Sequence, residues 1–585
     1  MQFDDFYQTI GTFGRYQKMK YFFICLTYLL PPIMVYTWTF TAAIPSFRCQ
    51  ISPDDNFDLE IPKQILERYV PTESQCRQYK SKISLKECQR CYQNINKTYR
   101  YNENNEPLKA CTSFVFDRTY YESTLVEEWS MVCNRLSFKT LSQTIFFSGY
   151  MIGSLVFGIL SDRFGRRPIL GISFFIITLA SFLCAYGPQE DLGFDISYAL
   201  FVFGRFLLAC ASRGVALTAF VIGVEIVGPA QRVFSGIVIE YFFALGELIL
   251  LVFAYMFRTW RLLHATLAVL SIPFLFFYFL IPESPRWLIS KGYYDEAEKI
   301  LCQIAKTNKT EFDSIAYQRL KTEEKKRKAF NSVKGYGCMA LIRSKVMLII
   351  AMNMSFQWFV QNLVFYGISQ NTGTWLQNPY ISFAAGAFVE IIAYGIVHLV
   401  LYRWGRKITY CSFVMGFATS ALLVVPIQML MIKGSRGQYV LMFIVNTILK
   451  FFASGSYAII YIYANELFPT QVRNTGIGIC SMIARMGAIV GTLSTDFLTR
   501  VWLYFPIVVF GVASTIAVIF ITICPETLNK PLPQTVDDVE IMGLAFPLGK
   551  SKPLTRVKVD VSDDDDDSDE NISLKQQSKH DIASL

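Results

Sequence analysis

The chain has 585 residues, 52% of them hydrophobic and 15% aromatic, with 55 Lys and Arg against 46 Asp and Glu. A soluble chain of this length would divide into several domains with charged surfaces, whereas this balance fits a protein that meets lipid over much of its surface. The positive excess gathers in short loops and in Lys321 to Lys328, the positive-inside pattern of a membrane protein, so nucleic acid is not an expected partner.

Residues 1–20 carry Arg15, Lys18 and Lys20, which place this end in the cytoplasm. Tyr21 to Ile44 follows without a charge, and it lacks the small-residue cleavage site of a signal peptide. Thr140 to Ser161, Pro168 to Pro188, Ile408 to Ile432 and Val501 to Pro525 are also charge-free. Each is long enough to cross a hydrocarbon core of about 30 Å as a helix. Twelve spans are predicted in all, near 21–44, 139–161, 168–188, 196–220, 233–256, 262–281, 345–368, 379–402, 408–432, 438–463, 472–495 and 501–524. The even number returns the C-terminus to the cytoplasm.

The loop at 45–138 holds Cys49, Cys76, Cys88, Cys91, Cys111 and Cys133. An even cysteine cluster in one outer loop predicts extracellular disulfides, with fifteen pairings open. Cys88 and Cys91 form a CxxC, but the loop has no His, so no metal site is expected. Asn96-Lys97-Thr98 in the same loop is a glycosylation signal, whereas Asn308-Lys309-Thr310 falls on the cytoplasmic side and should stay bare.

A second loop, 282–344, separates the halves and contains helix-forming, mixed-charge sequence at Tyr293 to Ala305 and Glu311 to Lys328. The halves repeat each other. Asp162-Arg163-Phe164-Gly165-Arg166-Arg167 after span two returns as Arg403-Trp404-Gly405-Arg406-Lys407 after span eight. Glu225, Arg232 and Gly236 return as Glu466, Arg473 and Gly476, and Pro282-Glu283-Ser284-Pro285 returns as Pro525-Glu526-Thr527. Three matches at a common offset of about 240 residues indicate a duplicated bundle.

The expected fold is therefore an all-α membrane protein of two pseudo-symmetric six-helix bundles, 21–281 and 345–524. The cytoplasmic tail, 525–585, contains Asp563 to Asp567 and is disordered by composition.

Two bundles that open alternately need cytoplasmic ion pairs that form in one state and break in the other. Asp162, Arg163, Arg166, Arg232, Arg406 and Arg473, with Glu225 and Glu466 as acidic partners, are the candidate gating residues. A wet pair of this kind is worth about 1 kcal/mol, which suits a gate.

Gly158-Ile-Leu-Ser-Asp162-Arg163-Phe-Gly165-Arg166-Arg167 and Arg403-Trp-Gly405-Arg406-Lys407, on twelve spans, resemble the major facilitator superfamily. The long cysteine-rich loop ending in Ser123-Thr-Leu-Val-Glu-Glu-Trp-Ser-Met-Val-Cys133 narrows the likeness. Together with Pro282-Glu-Ser-Pro-Arg286-Trp-Leu288 and Asn465-Glu-Leu-Phe-Pro-Thr470, it looks like the organic cation, carnitine and organic anion transporter family. The resemblance runs to about Asp538; the acidic tail and the longer first loop depart from it.

Ionisable groups inside spans are costly and mark function: Arg205, Arg213, Glu240, Glu247, Glu390, Lys450 and Arg485. Trp358 and Phe365, seven residues apart, share one face of span seven. The resemblance implies that Trp358, Phe365 and Glu390 fall where the family's cation carriers place a Trp, an aromatic and a Glu. Arg485 departs from those carriers, which have an Asp there, and is similar to the carnitine and anion branches. With Glu240 and Lys450 the expected cavity holds both signs of charge.

The resulting expectation is a plasma-membrane transporter of organic cations and carnitine-like zwitterions, driven by a coupling ion (H+ or Na+), an exchanged solute or the substrate's own gradient. An organic anion transporter of the same family is the alternative, resting on Arg485, Lys450 and Arg213, and a transport-dead receptor or scaffold is the second. No cofactor is expected, and with three His and no GxxxxGK[ST] sequence neither enzymatic chemistry nor ATP-driven pumping is expected.

Overall fold

The computed structural model describes residues 3–50, 90–94, 108–228, 231–333, 344–370, 375–430, 436–469, 472–499, 501–502, 504–528, 530, 533 and 536–545. Cys76, Cys88, Asn96 and the acidic tail lie outside them.

Among the described residues eleven helices are long and apolar enough to cross a membrane, and the shorter apolar helix Phe505–Ile521 makes a twelfth span. In chain order the spans are Arg15–Thr41, Leu136–Phe164, Arg166–Tyr186, Gly193–Glu225, Arg232–Met256, Trp260–Leu280, Lys345–Ser369, Pro379–Trp404, Arg406–Leu430, Arg436–Leu467, Arg473–Leu498 and Phe505–Ile521. Each overlaps its predicted stretch. Several run past it, because the charged ends, such as Glu225 and Arg406, continue the helix beyond the apolar run.

Spans two and four of the first bundle pack closely, as do spans seven and eleven of the second. Small residues four apart permit this: a side chain on Gly149 or Gly153 would strike the backbone of Phe206 or Cys210. Gly487 and Gly491 meet Phe359 and Leu363 in the same way. The two bundles join where span two packs on span eleven and span five on span eight.

The faces differ in what covers them. On the loop face, Phe47–Cys49 pairs antiparallel with Phe114–Phe116, and disulfides join Cys49 to Cys111 and Cys91 to Cys133. Trp129 anchors this loop against Phe201 and Trp260, while the Glu128 carboxylate accepts a hydrogen bond from Trp260 Nε1 at 2.7 Å.

On the opposite, terminal face lie the helices Pro285–Lys291, Tyr294–Asn308 and Ser314–Val333. The last two correspond to the helix-forming stretches of the inter-bundle loop. The sequence reading placed no helix at Phe3–Thr9, yet one forms there and packs Phe6 on Phe312 and Tyr317.

Candidate functional site

The repeated motifs build two matching structures at the terminal face. Gly165 and Gly405 turn the chain between spans with φ of 108° and 87°. Immediately beyond them, the backbone N–H groups of Arg166 and Arg167 donate to the Glu283 carboxylate at 3.0 and 3.1 Å. Those of Arg406 and Lys407 donate to Glu526 at 2.9 and 3.0 Å. In both bundles a carboxylate that follows the last span thus caps the positive N-terminus of the third helix.

Two of the candidate gating arginines reach glutamates. Arg406 Nε lies 3.0 Å from Glu466 Oε2 and donates to Oε1 at 3.1 Å, while Arg166 Nε makes a looser ionic contact with Glu225 at 3.5 Å. Arg166 also meets Asp162 one turn earlier on the chain, at 3.0 Å. Arg163 stands over the Phe164 ring. Arg232 opens span five, and Arg473 opens span eleven with Nε donating to the Phe468 carbonyl. The two arginine–glutamate pairs each lie inside one bundle, so they brace that bundle's helix ends and do not bridge the two.

Deeper in the molecule, between the bundles, sit the ionisable span residues. Lys450 Nζ on span ten is 2.9 Å from Glu390 Oε2 on span eight, with side-chain exposures of 1% and 0%. Tyr394 donates to Glu390 Oε1 at 2.6 Å, Lys450 donates to Ser369 Oγ at 2.5 Å, and the ammonium stands 4.6 Å from the centre of the Phe365 ring. The sequence reading gave Glu390 to cations and Lys450 to anions. The structure joins them, so each satisfies the other before any solute arrives.

Trp358 and Phe365 share a face as their spacing requires. Trp358 packs on Tyr461 and Phe365 stacks on Tyr457, each with ring centres 4.4 Å apart. Tyr457 and Tyr461 are themselves one turn apart on span ten, with hydroxyls at 3.1 Å.

Arg485 lies beside this aromatic wall, fully buried. It donates to the hydroxyls of Tyr366 and Tyr461 at 3.4 and 3.5 Å, stands 5.3 Å from the Tyr150 ring, and leaves Nε without a partner. Among the described residues no carboxylate lies within ion-pair distance of it. Arg213, on span four, donates to Ser481 at 3.4 Å and acts electrostatically on Glu240, which is buried on span five.

Sequence reasoning missed the tyrosines. Tyr150, Tyr366, Tyr394, Tyr457 and Tyr461 all face the charged groups, and their only sequence signal is helical spacing, Glu390 to Tyr394 and Tyr457 to Tyr461.

The profile of the sugar (and other) transporter family matches residues 89–536. An organic cation transporter protein of Drosophila melanogaster is 32% identical over 559 residues, covering 93% of this chain and 95% of its own. The chain belongs to the organic cation transporter family of the major facilitator superfamily. Solute carrier family 22 member 3 of Mus musculus is 28% identical over 557 residues, covering 92% of this chain and 96% of its own. The xylose transporter XylE, with a bound glucose derivative, shares the fold at a TM-score of 0.58 and 16% identity, covering 90% of this chain and all of its own. This family member is a multi-pass membrane transporter of small organic solutes, not an enzyme.

Proposed function

We propose that the chain carries organic cations and carnitine-like zwitterions across the plasma membrane by alternating access, with the loop face outside and both termini in the cytoplasm. The carrying observation is Arg485. A buried guanidinium surrounded by phenol groups and lacking a carboxylate is a site for a substrate carboxylate, which it can hold with two parallel hydrogen bonds. The aromatic wall of Trp358, Phe365, Tyr457 and Tyr461 offers ring faces to a quaternary ammonium at the other end of the same molecule. Glu240 adds a carboxylate on the opposite bundle.

Because Lys450 occupies Glu390, the site suits a zwitterion better than a simple cation. The disulfides in the loop support an outward-facing, oxidising side. Arg213 and Arg485 together favour a second reading, transport of organic anions.

Uptake of radiolabelled carnitine, tetraethylammonium and p-aminohippurate by cells expressing the chain separates these readings. Carnitine uptake above that of mock cells is expected, with tetraethylammonium next. Uptake of the hippurate alone assigns the site to anions, and uptake of none supports a receptor or scaffold.

A further inference from the structure

Arg205, on span four, takes no part in the cavity between the bundles. It is fully buried, and among the described residues no carboxylate lies within ion-pair distance of it. Its guanidinium stands over two rings, 4.1 Å from the centre of Trp38 on span one and 4.6 Å from that of Phe146 on span two. Nη2 donates to Gln143 Oε1, also on span two, at 3.0 Å. The Nε and Nη1 groups have no acceptor among the described residues, and neither has the Gln143 amide nitrogen, which belongs to the same carboxamide.

The surroundings supply no negative charge. His264 of span six packs on Phe201, one turn before Arg205, and the Cys184 thiol of span three donates to the Phe201 carbonyl. Ring faces offset part of the cost of burying a cation, but they are weak acceptors for N–H groups. A guanidinium keeps its proton, so this charge does not vanish by titration as that of a buried lysine can. A buried cation whose donors are only partly engaged is costly until a negative partner meets both the charge and the donors.

The geometry points to a binding site for a single halide ion, chloride in biological fluids, held by Arg205 and the Gln143 amide inside the first bundle. One unit of negative charge matches the one guanidinium. A halide accepts hydrogen bonds from any direction, so donors on two spans serve it without the planar geometry that a carboxylate demands. A monovalent, weakly hydrated ion also gives up least on leaving water. The site lies about 6 Å, one turn of span four, below Phe201, whose ring the Trp129 side chain of the cysteine-rich loop covers at 5.5 Å. The ion ties span four to span two within one bundle, whereas Arg485 lies between the bundles and is free to meet a substrate.

The test uses the purified full chain in detergent and needs no substrate, so its outcome stands apart from the carnitine reading. Thermal unfolding is followed in sodium chloride and in sodium gluconate at equal ionic strength. The midpoint should rise with chloride and level off, as one saturable site requires. Gln143→Leu removes one donor to the ion and should raise the half-saturating chloride concentration about tenfold or more, and Arg205→Gln should abolish the response. Folding of each variant is verified by its size-exclusion profile. Crystals of the wild type soaked in bromide need no variant, and an anomalous peak within hydrogen-bonding distance of Arg205 is expected. Equal midpoints in chloride and gluconate, a chloride response unchanged in both variants, or ordered water at Arg205 without a bromide peak would each overturn the site.

Discussion

Lys450 and Glu390 form a buried ion pair at 2.9 Å between spans ten and eight, although these opposite charges were expected to act separately on substrates. In a low-dielectric site the pair is held more by the cost of separating its members than by any net gain in stability.

Removing one partner should therefore hurt more than removing both. Lys450→Met leaves Glu390 uncompensated and should cost about 3–5 kcal/mol, whereas Lys450→Met with Glu390→Gln should regain much of that loss. Thermal unfolding of the purified variants in detergent checks the order. A double variant as unstable as the single one would mean that other groups, not this pair, set the local balance.

The two glycine turns should be equally intolerant of a side chain. A Cβ on Gly165 would lie 2.5 Å from the Glu283 carboxylate, and one on Gly405 would lie 2.7 Å from that of Glu526. Both positions also have φ values that residues other than glycine avoid. Gly165→Ala and Gly405→Ala should each destabilise by about 1–3 kcal/mol, the usual cost of such strain, and each should slow transport. Unfolding midpoints and uptake rates measured on the same preparations show whether the two bundles respond alike.

Asn308 ties the N-terminal segment to the helices between the bundles. Its amide accepts from the Tyr16 N–H at 3.0 Å and donates to the Ile10 carbonyl at 3.1 Å and to Gln17 Oε1 at 2.9 Å. Asn308→Ala should loosen residues 3–17 by about 1–3 kcal/mol while leaving the spans intact. Hydrogen exchange should quicken in that segment alone; uniform quickening would show that Asn308 supports the whole fold.

The amount legible in the sequence follows from the physics of each feature. Spans show because lipid requires about twenty apolar residues in a row, and the duplication shows because charges are few and fall at the helix ends. Arg166, Glu225, Arg406 and Glu466 thus stand out in the repeat, although which of them meet, and that each pair lies inside a single bundle, does not.

The partnership of Lys450 with Glu390 depends on how spans eight and ten are rotated about their axes, which an all-round apolar helix does not encode. The tyrosines around Arg485 were hidden for the same reason, among 32 Tyr and 50 Phe in the chain. The Phe3–Thr9 helix carried too short an apolar pattern to stand out, and its place is fixed by the aromatic contacts of Phe6 with the distant Phe312 and Tyr317.

The most direct test of the account is uptake by proteoliposomes holding the wild type or Arg485→Gln, with carnitine and tetraethylammonium measured side by side. Loss of a charged hydrogen-bond pair to a carboxylate should lower carnitine uptake by about tenfold or more, with tetraethylammonium, which has no carboxylate, unchanged or faster. Equal loss of both substrates, or undiminished carnitine uptake, would contradict the assignment of Arg485 to the substrate's carboxylate.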